Sequence, residues 1–156
     1  MRQVRFRALA IVNDKHAGIK VGDFVYGHYI ESGCDAPCII FGDGEQIEVD
    51  KNTLGQLTGL QDKNVVDIYE GDILAHTSTR RAGYQKDGVT IYKKIVYGQA
   101  NPDNSVLSDY IGFWAVSLPD VTTAMGGSIE YQTESHGAVV IGNIHQNPEL
   151  IKRGES

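Results

Sequence analysis

The sequence predicts a mainly β protein built from small antiparallel barrels. Three observations carry that expectation. Eighteen of 156 residues are glycine and only 4 are proline, which suits many tight turns where φ becomes positive. No stretch keeps a helical apolar period over about 12 residues, the length below which an isolated helix is marginal. Short β-branched and aromatic runs recur at roughly 10–15 residue spacing with turn signals between them.

Each element follows from its local pattern. Val4-Arg5-Phe6-Arg7-Ala8-Leu9 alternates, with Val4, Phe6 and Ala8 on one face and Arg5 and Arg7 on the other, as in a half-buried strand. Asn13 to Gly18 is a polar loop, and Val21 to Ile30 reads as a turn entering a strand. Glu31 to Pro37 is a loop. Cys38 to Phe41, then Gly42-Asp43-Gly44, then Gln46 to Val49 form a hairpin signal, because the glycines admit positive φ at the turn. Asp50 to Leu57 is polar, holds a single helical turn at most, and marks the expected boundary. Residues 1–57 then form an N-terminal β segment and 58–156 a second domain, a small antiparallel barrel.

In the second half, Ile68 to Ala75 reads as a turn and a strand, and Thr77 to Asp87 as a polar loop around Arg80 and Arg81. Val89 to Tyr97 is the longest β-branched run. A loop at Asn101 to Asn104 leads toward a short helix through Leu107 and Tyr110. Gly112 to Leu118 and Ala138 to Ile144 are the last clear strands. Pro148 suits the first turn of a short terminal helix.

Charge and address narrow the function classes. Fourteen basic and 20 acidic residues give a net charge of −6, which opposes a surface that grips phosphate throughout but leaves room for a local basic patch. No stretch approaches the 18 or so apolar residues of a membrane span, and no signal-peptide core follows the N-terminus. Two cysteines make no disulfide framework. The expected address is the cytoplasm, with no membrane partner.

The candidate chemistry is sparse. Cys34 and Cys38 are spaced C-x3-C, neither a redox pair nor half of a zinc site with matching histidines. They read as one loop thiol and one core thiol. None of the five histidines pairs at ligand spacing. Asp67, Glu70 and Asp72 lie close together, but turn and capping roles account for each. Neither metal nor cofactor is expected. An internal echo links Val21-Gly22-Asp23-Phe24-Val25 with Glu70-Gly71-Asp72-Ile73-Leu74. It reads as a strand entry in which Gly takes positive φ and Asp accepts from nearby backbone N–H groups. Arg5, Arg7, Arg80 and Arg81 are the candidate nucleic-acid contacts, with tyrosines for stacking.

Two blocks carry a resemblance. Thr58-Gly59-Leu60-Gln61-Asp62-Lys63-Asn64 runs on to Ile68-Tyr69-Glu70-Gly71-Asp72-Ile73, and Val140-Ile141-Gly142-Asn143-Ile144 closes with Asn147-Pro148-Glu149-Leu150. Both resemble the signatures of the YopX family of phage and prophage proteins. Val65 stands where that family's pattern has a turn glycine. The resemblance implies an SH3-type barrel in the second half and no established enzymatic activity. It implies structural roles for Gly59, Leu60, Asp62, Tyr69, Glu70, Gly71, Asp72, Gly142, Asn143, Asn147 and Pro148. The expected function is therefore a non-enzymatic protein-interaction module capable of self-association. A nucleic-acid-binding β-barrel and an unrecognised hydrolase with dispersed residues are the alternatives.

Overall fold

In the computed structural model of the chain the described residues are 4–31, 36–77, 88, 90–99, 111–118, 129, 133–134 and 137–152. They form β1 (Phe6–Leu9), β2 (Phe24–Ile30), β3 (Cys38–Phe41), β4 (Glu45–Glu48), a 3-10 turn (Lys51–Thr53) and β5 (Gly55–Gln61). After these come β6 (Asp67–Tyr69), β7 (Asp72–Thr77), β8 (Thr90–Gln99), β9 (Ile111–Ser117), β10 (Val139–Asn143) and α1 (Pro148–Lys152). The protein is mainly β, and its sheets are antiparallel in every described ladder. It divides into two compact units, Met1–Gly59 and Leu60–Ser156.

In the first unit the strand order is β4-β3-β2-β1-β5. Alternation places Ala8 opposite Val25 and Ile39 opposite Ile47. These four, with Ala10 and Val49, make its core. Gly42 and Gly44 take φ of 52° and 108° in the β3–β4 turn, as the hairpin signal predicts. The outer edge of β1 is shared along its length. Its start pairs with β5 through Phe6–Gln56 and Arg7–Gly55. Its end meets the end of β4 at an Ala10–Val49 bridge, flanked by Ile11 N–H to the Glu48 carbonyl at 3.1 Å and Asp50 N–H to the Leu9 carbonyl at 2.9 Å. The 3-10 turn sits between these stretches. Asp50 Oδ1 caps it by accepting from Asn52 N–H at 2.9 Å, and Thr53 Oγ1 accepts from Leu9 N–H at 2.9 Å.

In the second unit a four-stranded sheet runs β10-β7-β8-β9. β7 is buried from Asp72 to His76, which explains its unbroken apolar run Ile73-Leu74-Ala75. Its core gathers Ile68, Leu74, Ile95, Ala115, Ile129 and Ala138. The ladder between β10 and β7 slips between Val140 and Gly142, and the extra residue, Ile141, points outward at 38% exposure.

Two expectations are corrected. The second half is an open sheet, not a closed SH3-like barrel, and among the described residues no ladder joins β9 to β10. Closure needs a long staggered strand at the seam. β10 instead has five residues, a bulge and a turn straight into α1. In the first unit the curl toward closure amounts to the single Ala10–Val49 bridge. The second correction concerns Gly55 to Leu57, which are not polar connecting chain but the start of β5. The loops around Arg80 and Arg81 and the segment from Asn101 to Tyr110 lie outside the described residues.

Candidate functional site

The family-like blocks converge on three turns of the second unit. The first follows β5. Asp62 is 5% exposed, and its carboxylate closes the turn. Oδ1 accepts from Asn64 N–H at 2.7 Å and Val66 N–H at 3.0 Å. Oδ2 accepts from Val140 N–H at 2.9 Å, 78 residues away. One side chain thus fixes a local turn and ties it to β10. A short acid does this where a Glu would overshoot, because Asx side chains reach backbone amides two residues on.

Val65 in this turn has φ of 65°, the one non-glycine in that region among the described residues. A β-branched residue there is strained by about 1–2 kcal/mol. The side chain is 70% exposed, so little packing offsets the strain. Val65→Gly should therefore stabilise the protein by about 1 kcal/mol after glycine's extra unfolded-chain entropy. Thermal denaturation should show a rise of about 2–4 °C. An unchanged or lowered midpoint would contradict the strain.

The second turn joins β6 to β7. Gly71 has φ of 83°, its N–H donates to the Ile95 carbonyl at 2.9 Å, and its carbonyl accepts from Ile144 N–H at 2.9 Å. Asp72 is 1% exposed, and its Oδ2 accepts from Tyr69 N–H at 2.8 Å. The same device opens β2. Gly22 has φ of 89°, and Asp23 Oδ2 accepts from Lys20 N–H at 2.9 Å. The X-Gly-Asp echo in the sequence is one strand-entry turn used twice. Glu70 reaches across this region, its Oε1 accepting from Tyr97 N–H at 3.3 Å.

The third turn joins β10 to α1. Asn143 Oδ1 accepts from His145 N–H at 2.9 Å, and Asn147 Oδ1 accepts from Asn143 N–H at 3.2 Å. Asn147 N–H returns to the Asn143 carbonyl at 2.8 Å. Gly142 leaves room for this knot, since a Cβ there would sit 2.6 Å from Asn147 Oδ1 and 2.8 Å from Leu150 Cδ1. Asn143 is 4% exposed, and its Nδ2 has no hydrogen-bond partner. That nitrogen lies 3.2 Å from where a Cβ on Gly71 would stand, so the second and third turns pack together.

Chemically, these carboxylate and amide oxygens are occupied by backbone N–H groups. The arrangement is a three-turn clasp, held by acceptors in place of exposed reactive groups. Among the described residues no cluster of three or more His, Cys, Asp or Glu could hold a metal ion.

A family model described as YopX protein matches residues 28–152, well over half of the chain. The chain belongs to the YopX family. Among solved structures, this YopX-family protein is similar to the crystal structure of protein EF1440 from Enterococcus faecalis, with a TM-score of 0.53 and 23% identity. The likeness covers 97% of this chain and 99% of that chain. At that identity it speaks to the fold alone. No curated protein matches the YopX-family chain.

The other candidates of this YopX-family protein are scattered. Arg7 is 6% exposed, with its guanidinium 4.5 Å over the Phe24 ring, a cation–π stack that turns it into the protein rather than toward a phosphate. Arg5 is half-buried two residues away on β1's approach. Arg80, Arg81 and Cys34 lie outside the described residues, and the Cys38 thiol is buried and donates to the Ala36 carbonyl at 3.6 Å. Sequence reasoning missed Lys93 and His76, each 8% exposed. The signal was present: with a period of two, Lys93 shares its face with Ile91 and Ile95.

Proposed function

We propose that this YopX-family protein is a non-enzymatic interaction module, encoded by a phage or prophage and working in the bacterial cytoplasm. It acts by contact with protein, a second copy of itself included. One observation carries the reading. The loop between β1 and β2 exposes Ile11, Val12 and Val21 at 45%, 38% and 57%. The loop itself is tightly bonded. Asp14 and Ile19 exchange both backbone hydrogen bonds at 2.8 Å, Asp14 Oδ1 accepts from His16 and Ala17 N–H, and Asn13 Oδ1 accepts from Val21 N–H. Apolar side chains shown to water on a fixed loop cost little entropy to dock, which favours a protein partner. The engagement of the clasp oxygens by backbone amides supports the non-enzymatic part.

Light scattering across a concentration series tests it. The mass should rise above the 17.1 kDa of one chain. The Ile11→Glu, Val21→Glu double variant should stay at the single-chain mass throughout. A native chain that remains single at every concentration and captures no host protein overturns the proposal.

A second reading, nucleic-acid binding, has its own observation. Tyr26 is 45% exposed, opposes Arg7 across the β1–β2 ladder, and lies 6.4 Å from Phe24 between ring centroids. Arg5 continues that strip. Binding through it should weaken steeply with salt, and Tyr26→Ala should reduce it.

A further inference from the structure

The exposed loop between β1 and β2 belongs to a strip whose two ends differ in charge. Ala10 and Val49 are buried and form the bridge between the ends of β1 and β4, so alternation turns Ile11 and Glu48 outward together. Ile11 N–H donates to the Glu48 carbonyl at 3.1 Å, which holds the two side by side. On the opposite flank of β1, Ala10 N–H donates to the Asp23 carbonyl and the Ala10 carbonyl accepts from Gly22 N–H, both at 2.9 Å. That brings Val21 beside Ile11 on the flank away from Glu48, with Lys20 next to Val21 in the chain. The strip therefore runs from an exposed acid, Glu48, across exposed Ile11 and Val21, to an exposed base, Lys20.

The neighbouring charges have other engagements. Asp14 Oδ1 accepts from His16 and Ala17 N–H, and Asp23 Oδ2 accepts from Lys20 N–H, so both loop acids turn back onto backbone amides. Lys51 pairs with Glu31 at 2.6 Å. No Lys or Arg occurs between Glu31 and Asp50, so the β3–β4 hairpin presents acid alone. A face with acid, apolar and basic zones in line is complementary to itself after half a turn. A wholly acidic or wholly basic partner meets like charge at one end. So does a second copy laid parallel, with Glu48 on Glu48 and Lys20 on Lys20.

We infer, resting on the self-contact reading above, that the partner at this strip is a second copy of the chain. The two dock about a two-fold axis through the Ile11–Val21 zone, with Glu48 of each copy against Lys20 of the other. The apolar zones cover one another, and each charge pair occurs twice, so one substitution is felt at two contacts.

Sedimentation of the full chain across a concentration series in low-salt buffer tests the arrangement. Glu48→Lys and Lys20→Glu change exposed side chains, and each alone should weaken the dimer about tenfold, because like charges then face each other at both ends. Mixed one to one, the two variants should recover the native affinity, since each supplies the charge that the other lacks. Recovery also shows that both variants fold. The mixed species should stop at the mass of two chains, because a two-fold contact closes on itself. Growth beyond two chains overturns the two-fold arrangement in favour of a head-to-tail one. A native dimer that neither substitution weakens, or a mixture that does not recover, overturns the Glu48–Lys20 pairing and leaves the self-contact reading standing. A native chain that stays single while capturing a host protein overturns the second copy as partner and leaves the interaction reading standing.

Discussion

Asp62→Ala should cost about 3 kcal/mol and loosen the second unit at two places distant in sequence. The carboxylate accepts from Asn64, Val66 and Val140 N–H. A hydrogen bond to a charged acceptor contributes about 1.5–3 kcal/mol, and a donor left buried without a partner costs a similar amount. The Asn64 and Val66 amides sit in an exposed turn where water replaces part of the loss. Val140 is only half-exposed and lies in β10, so its donor carries the larger share. At this chain length the midpoint of thermal unfolding should fall by roughly 6–12 °C. Hydrogen exchange separates this reading from general destabilisation. The Val140 amide should lose protection together with those of Asn64 and Val66, while the Ile39 amide in the first unit keeps its own. Asp62→Asn keeps an oxygen for the local turn but sets an amide N–H₂ against Val140. It should restore turn protection and leave Val140 weakened. Equal loss in both variants would show that the acid's charge, not its two-sided acceptance, holds the clasp.

Much of the fold was legible because its signals are local. Gly42 and Gly44 fix a hairpin through their own φ angles. Gly22-Asp23 and Gly71-Asp72 set strand entries within four residues each. Pro148 opens α1 where its missing N–H is harmless. The clasp was legible only in part. Its residues stood out by family pattern, but the bond from Val140 to Asp62 spans 78 positions and no local rule reports it. The failures share one cause, which is tertiary context overriding a local pattern. Arg7 alternates like a solvated residue, yet the Phe24 ring lies across its guanidinium. Gly55 to Leu57 carries glycine and a polar residue like connecting chain, yet it opens a strand pinned to β1. Lys93 beside Lys94 reads as a charged pair, although strand geometry must send the two to opposite faces.

Gly27→Ala should destabilise the first unit by about 3 kcal/mol, near the upper end for an overpacked site. The sign of the effect is what makes this decisive. Gly27 is buried in β2 and pairs with Phe6. By propensity alone, alanine in a strand interior improves on glycine by about 0.5–1 kcal/mol. The structure reverses that expectation through one close approach. A Cβ on Gly27 would run into the Ile40 carbonyl oxygen, would stand 2.8 Å from the Ile40 carbonyl carbon, and would be 3.0 Å from Ile39 Cγ2. The first two obstacles are backbone, so no rotamer change relieves them. β3 must move away from β2, which strains the His28–Ile40, Tyr29–Ile39 and Ile30–Cys38 pairs together. Ile39 and Ile47 belong to the core behind that ladder, so the displacement also opens apolar packing. Urea denaturation should show the loss, and amide protection should fall first in β3. His28→Ala, next in the strand and exposed, should change stability by no more than about 0.5 kcal/mol. A Gly27→Ala chain more stable than the native one would mean that β2 and β3 do not approach as closely as this at Gly27.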